Sequence, residues 1–129
     1  MAAISTLRGT LATALANAGV WSTFSFPPET LLANSVVVTP GDPYIVPNNN
    51  SQTGIAPLAN FRILMTKPAF DNQGSLIGIE DFIVAVVTKL EASSLVYNIS
   101  SVSAPAITNA ASGDLITSEI TVSILTSWS

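Results

Sequence analysis

The sequence predicts an α+β domain in which two amphipathic helices pack on one face of a mostly antiparallel β-sheet and a long β-hairpin protrudes. Two kinds of pattern support this fold class. Two segments carry apolar residues at the helical spacing of three and four, and several others are β-branched or alternate apolar with polar residues. The length of 129 residues suits one domain, which we place over residues 1–129.

The chain opens with a helical segment. Gly19 follows its last apolar residue and suits the left-handed backbone that often ends a helix. We therefore predict a helix over residues 3–18, then a short strand or extended arm over residues 20–26 that ends at Pro27-Pro28. The residues at helical spacing are Ile4, Leu7, Leu11, Leu15 and Ala18.

A long hairpin is predicted next. Residues 35–39 include three consecutive valines and predict a short strand. Pro40–Pro43 (PGDP) predicts a turn, because glycine permits a positive φ and each proline removes a hydrogen-bond donor. Residues 44–46 predict a further extended piece, the polar residues 48–54 the hairpin tip, and residues 55–67 the returning strand.

The second half of the chain begins with a predicted loop over residues 68–74. A second stripe of apolar residues predicts a helix over residues 75–92. A strand rich in Ser and Val follows over residues 96–107, interrupted by Pro105, and residues 109–114 predict a turn. The last strand alternates apolar with polar residues, and its apolar side comprises Ile116, Ile120, Val122, Ile124 and Trp128.

The sequence offers few groups for catalysis or metal binding. It contains no His and no Cys, which excludes His- and Cys-based nucleophilic catalysis and the usual zinc and iron–sulfur sites. Glu80 and Asp81 are adjacent on a predicted helix and point about 100° apart, so we interpret them as solvated side chains. Asp42 and Asp114 are interpreted as turn residues. We therefore predict no enzymatic activity, no cofactor and no metal site.

Charge and hydropathy limit the partners. Four Lys and Arg against eight Asp and Glu give a net charge of −4, which argues against binding DNA or an anionic membrane. The mean hydropathy is +0.52, yet the longest apolar run, Phe82–Val87, is far too short to span a bilayer. The residues before Ala18 also lack the pattern of a signal peptide. Because only 9% of residues are charged, the composition favours lasting contact with like subunits.

The aromatic residues and the loops supply the candidate interface. Trp21, Phe24 and Phe26 are interpreted mainly as core residues, with a protein-binding surface as the alternative. The hairpin and the chain terminus are expected to be exposed, so we place the contacts there. The protein-interface candidates are Asp42, Pro43, Tyr44, Asn48, Asn49, Asn50 and Trp128.

Nearly the whole chain resembles the tail terminator proteins of bacteriophages with long, non-contractile tails. The most specific element is the segment VVVTPGDPYIVP (residues 36–47), although the charge-poor middle of the chain departs from relatives with more Arg and Asp. The other matching elements are the N-terminal helix, the short strand before Pro27-Pro28, FRILMT (61–66), IEDFIVAVVTKL (79–90) and ITVSI (120–124).

The resemblance implies a structural virion protein, assembled in the host cytoplasm, with no cofactor and no membrane contact. Such proteins form a hexameric ring at the head-proximal end of the tail tube, stop tube polymerisation and join the tail to the head. The implied partners are further copies of the chain, the tail tube protein and the head–tail connector or head-closure protein, with genomic DNA passing through the lumen without specific binding. Residues 42–54 are expected to reach an adjacent ring subunit or the tube.

Other classes of protein remain as alternatives. The nearest are another tail-tube, neck or head-closure protein of related fold, followed by a minor capsid or decoration protein. A small ligand-binding domain is the most different alternative, and a monomer with a closed apolar pocket would favour it.

Overall fold

The computed structural model describes residues 4–17, 20–25, 33–46, 57–69, 72–93, 97–110 and 113–125. These residues form two helices and a six-stranded, mostly antiparallel sheet, which confirms the predicted α+β class. In chain order the elements are α1 (Ile4–Leu15), β1 (Ser22–Phe24), β2 (Ser35–Val46), β3 (Leu58–Pro68), α2 (Asn72–Glu91), β4 (Tyr97–Val102), β5 (Ala106–Ala110) and β6 (Gly113–Leu125).

Strands β3 and β6 form the middle of the sheet. They pair antiparallel along the whole of β3, from Leu58 opposite Leu125 to Pro68 opposite Leu115. β2 pairs antiparallel with the other side of β3, and β1 adds to β2 as a short parallel strand. β4 and β5 follow each other along the far side of β6. The sheet therefore has β1 at one end and the β4–β5 pair at the other.

Both helices pack on one face of the sheet, as predicted. Every second residue of the central strands faces them, because side chains alternate across a strand. Burial of this apolar surface supplies the main stabilisation of the fold. The buried residues of the helices are Leu7, Leu11, Leu15, Ile79, Phe82, Val86 and Leu90, and those of the strands include Val36, Val38, Phe61, Ile63, Met65, Ile120, Val122 and Ile124.

Trp21 belongs to this core, which decides between its two interpretations. Its side chain is 7% exposed, and its ring centroid lies 5.3 Å from that of Phe82 at an interplanar angle of 42°. Phe24 is half-buried in β1. Phe26 lies outside the described residues. Trp21 is therefore a core residue, and its ring connects the chain just before β1 to α2.

The predicted turn at Pro40–Pro43 is wrong, because these residues continue β2. Pairing with β3 is regular up to Pro40 opposite Phe61 and resumes at Ile45 opposite Ala59. The prolines have no N–H group with which to continue the ladder, so the strand bulges here instead of reversing. The Asp42–Pro43 peptide bond within the bulge is cis.

The second helix begins earlier than the sequence predicted. Residues 72–74 were expected to end a loop, and they form the first turn of α2. Gly74 costs a helix about 1 kcal/mol relative to alanine. The packing of the apolar stripe of α2 against β3 and β6 outweighs that cost, since tertiary packing supplies most of a helix's stability.

The hairpin at the end of the chain is tighter than predicted. Asn109 pairs with Asp114, and Ala110 with Gly113, so four residues of the expected turn are paired strand. Asp114 is accordingly a strand residue and not a turn residue. The interruption expected at Pro105 is confirmed, since residues 103–105 separate β4 from β5.

Strands β2 and β3 have the antiparallel pairing that the predicted long hairpin requires. Their last pair is Val46 opposite Leu58. Residues 47–56, which include the predicted tip at 48–54, lie outside the described residues. The protrusion of this hairpin therefore stays a prediction.

Candidate functional site

The structure describes three of the seven candidate interface residues, and they occupy the bulge of β2. Asp42 and Pro43 are exposed, whereas Tyr44 is half-buried. The ring of Tyr44 meets that of Phe61 edge to face, with 5.8 Å between the centroids. Tyr44 therefore anchors the bulge to the core, and Asp42 and Pro43 are the residues offered to solvent. The remaining four candidates, Asn48, Asn49, Asn50 and Trp128, lie outside the described residues.

Side chains of the neighbouring strands hold the bulge in place. The Asn60 side-chain amide donates to the carbonyl oxygen of Pro43 at 2.9 Å, and the Ser123 hydroxyl donates to Asn60 Oδ1 at 2.7 Å. Gly41 passes so close to β3 that a Cβ added there would lie 2.9 Å from the backbone oxygen of Asn60. A surface fixed in this way loses little conformational entropy on docking.

The face of the sheet opposite the helices carries polar side chains, an ion pair and some apolar residues such as Val37 and Leu115. Arg62 Nε lies 3.9 Å from Glu119 Oε2, with both side chains more than two-fifths exposed. An exposed pair of this kind contributes between about 0 and 1 kcal/mol. Hydroxyl groups make up much of the rest, as the alternation in the last strand predicted. Residues of this face on the three central strands include Thr39, Asn60, Leu64, Thr117, Thr121 and Ser123.

Strands β4 and β5 form an exposed edge that the sequence analysis did not identify as a surface. Val102 is 41% exposed and Ile107 is 60% exposed. Ser103 connects the two strands to β6: its N–H group donates to the Glu119 carbonyl at 2.8 Å, and its hydroxyl accepts from the Glu119 N–H group at 2.9 Å. The sequence feature that could have indicated this edge is the run of uncharged residues over 92–113.

A second apolar surface lies on the outer side of α2. Ile77 and Val84, seven residues apart, are 50% and 65% exposed. Glu80 and Asp81 are exposed beside them on the same side of the helix. Both carboxylate side chains are exposed, in agreement with their interpretation as solvated residues. This side of α2 is therefore apolar along its centre and acidic at its margins.

The end of the sheet formed by β1 has a depression and an unpaired hydroxyl group. The depression has a volume of about 380 Å³, opens to solvent between α1 and β1, and has Thr23 in its lining. Thr23 Oγ1 and Arg8 Nε are buried polar atoms for which the structure provides no hydrogen-bond partner. Such atoms are uncommon in native proteins and call for an explanation.

The described part of the chain contains no group of three or more His, Cys, Asp or Glu residues that could hold a metal ion. Within the same ranges, no helix is long and apolar enough to cross a membrane. A smaller depression of about 230 Å³ between Trp21 and Asn34 is lined partly by Ser22 and is open like the first.

No protein-family model matches this chain, and no curated protein sequence matches it either. The likeness of the VVVTPGDPYIVP segment to tail terminators therefore stays a prediction. The structural features that bear on function are the exposed bulge of β2, the uncharged β4–β5 edge and the low fraction of charged residues.

Proposed function

We propose that this protein is a structural subunit that assembles into a ring at the head-proximal end of a phage tail tube. In that place it ends tube growth and joins the tail to the head connector. The observation that carries the proposal is the form of the segment most like a tail terminator: it builds strand β2, which carries a braced, exposed bulge. Asp42 and Pro43 are exposed on that bulge, and the Asn60 side chain donates a hydrogen bond to the carbonyl oxygen of Pro43.

The composition supports assembly with like subunits. Charged residues make up 9% of the chain, about a third of the usual fraction. A surface built from Ser, Thr, Asn and Ala can be buried at a smaller desolvation cost than a charged one. The exposed apolar residues Val102 and Ile107 point in the same direction, because they lie on a strand edge that a partner could cover.

The function requires two kinds of contact. A closed ring needs a heterologous interface, in which two different patches of each subunit meet. Its two rims then contact different proteins, the tail tube protein and the head–tail connector. The Asp42–Pro43 bulge and the residues that follow it form our candidate for one of these contacts. The assembled protein would be part of the virion.

Electron microscopy of the purified protein tests the proposal. We expect single closed rings of uniform diameter that do not stack into long filaments, because a terminator must stop polymerisation. Long tubes would point to a tail-tube protein instead. Particles no larger than one subunit, at every concentration that can be reached, would contradict assembly and favour the ligand-binding alternative.

A further inference from the structure

The two longest stretches of the sequence without a charged residue contain the strands at the two opposite ends of the sheet. Residues 92–113 are 22 consecutive uncharged residues and include β4 and β5. Residues 9–28 are 20 consecutive uncharged residues and include β1. Sequence alone does not relate these stretches, since more than sixty residues separate them. The fold places one at each end of a single sheet.

The β4–β5 end is an edge without the usual protection. Proteins commonly block an edge strand with lysine or another charge, because its unpaired backbone groups are a template for a further strand. Here all residues of β4 and β5 are uncharged. Val102 and Ile107 are 41% and 60% exposed there. A bulge at Ser100 and the break at Pro105 are the irregularities along it.

The β1 end of the sheet has an exposed apolar residue and a short strand. Val20, next to the strand, is 61% exposed, and Ser22 within it is exposed. β1 pairs with β2 over three residues only, which is the shortest strand pairing in the sheet.

We infer that the β4–β5 edge of one copy of this chain pairs with the β1 end of a second copy, so that the sheet continues from subunit to subunit. This inference rests on the proposed ring function and names its subunit contact. The contact is heterologous, since two different edges meet, and repetition of a heterologous contact gives a ring where the rotation between subunits closes. Backbone hydrogen bonds give the contact its affinity, as in β-strand addition generally.

Charge identifies the occupant as a second copy. Each chain has a net charge of −4, so two copies repel each other wherever their carboxylates are exposed. The outer side of α2, with Glu80 and Asp81 beside Val84, is such a place. The two ends of the sheet have no charged residues in their strands, and there like-charged copies can approach at the smallest electrostatic cost.

Lysine substitutions at the edge test the inference. Val102→Lys and Ile107→Lys place a charge on side chains that are already exposed, so each variant should remain folded by circular dichroism. Since assembly would bury that charge, we expect the subunit concentration needed for ring formation to rise by at least about tenfold. Val84→Lys is the matched control, because it makes the same change at a more exposed site on α2. Assembly of both edge variants at the wild-type concentration would overturn the inference.

Cysteine cross-linking identifies the two surfaces directly, since the chain contains no cysteine of its own. The double variant Val20→Cys/Ile107→Cys should form covalent ladders of subunits when assembled rings are treated with a bismaleimide. Each single variant should stay uncross-linked. Dimers from Ile107→Cys alone would mean that two identical edges meet, and intact rings without ladders would mean that the subunits meet elsewhere. Either result overturns the edge contact while leaving the ring function standing, whereas wild-type protein that forms no ring contradicts the proposed function itself.

Discussion

The indole N–H group of Trp21 donates a hydrogen bond to the carbonyl oxygen of Leu15 at 2.8 Å, inside the core. Leu15 is the last residue of α1, where the carbonyl groups of a helix lack partners within the helix. The Trp21 side chain, just before β1, thus supplies a hydrogen-bond donor for the last carbonyl group of α1. The same ring packs on Phe82 of α2, so Trp21 joins three elements of the fold.

Replacing Trp21 should separate the contribution of its hydrogen bond to Leu15 from that of its packing on Phe82 in the free energy of unfolding. Trp21→Phe keeps an aromatic ring against Phe82 but leaves the Leu15 carbonyl buried without a donor, which should cost about 1–3 kcal/mol. Trp21→Ala also leaves a cavity, and we expect a loss of about 3–5 kcal/mol. Urea denaturation followed by circular dichroism measures both values. Ser22→Ala, at the exposed neighbouring position, should lie within about 0.5 kcal/mol of the wild type. A Trp21→Phe variant as stable as the wild type would show that the hydrogen bond contributes nothing measurable, and equal losses for Phe and Ala would show the same for the ring packing on Phe82.

Two glycine-to-alanine substitutions form a matched pair. At Gly41 the added methyl group would meet the backbone of Asn60 at 2.9 Å, so Gly41→Ala should destabilise the protein by about 1–3 kcal/mol and loosen the bulge. At Gly9, in the interior of α1, nothing lies within 4 Å of the added methyl group. Gly9→Ala should therefore stabilise the protein by about 0.5–1 kcal/mol. Thermal unfolding compares the two, and a tolerated Gly41→Ala would remove the close approach as an explanation of the bulge.

These positions show what the sequence can and cannot predict. The alternation in β6 and the helical spacing in α2 are local patterns imposed by one buried face, and they predicted the elements and the layer order correctly. The bulge at Pro40–Pro43 depends on Asn60, which lies seventeen residues beyond Pro43, so the local turn signal was misleading. The placement of strands from the two uncharged stretches at opposite ends of the sheet depends on the strand order, which local sequence patterns do not give. For the candidate site, the sequence located Asp42 and Pro43 at the surface but did not identify the β4–β5 edge.

The hairpin tip should be necessary for assembly and dispensable for folding. Deleting residues 48–53 removes six polar, uncharged residues and leaves β2 and β3 paired up to Val46 and Leu58. We expect a subunit that is folded by circular dichroism but has lost ring formation or tail joining, because the tip is proposed to reach a neighbouring subunit or the tube. Substituting Asn48, Asn49 and Asn50 together by Ser, with the loop length kept, serves as the control for length. If the deletion variant still assembled into particles with tails of normal length, the tip would make no necessary contact.

The assembled ring should not bind DNA. Six subunits of net charge −4 carry −24 in total, which repels the phosphate backbone and suits a channel through which DNA must pass. A gel-shift assay with duplex DNA at moderate salt should detect no complex. Tight binding that weakens steeply with added salt would indicate a phosphate-binding surface and would contradict this expectation.

The mass of the native particle tests the central claim most directly. One subunit has a mass of 13.4 kDa, so a ring of six has six times that mass, or about 80 kDa. Native mass spectrometry of the purified protein should show this species as the dominant closed assembly, without a ladder of larger forms. A spectrum that contains only the 13.4 kDa monomer, or only a dimer of twice that mass, at all concentrations would contradict the account.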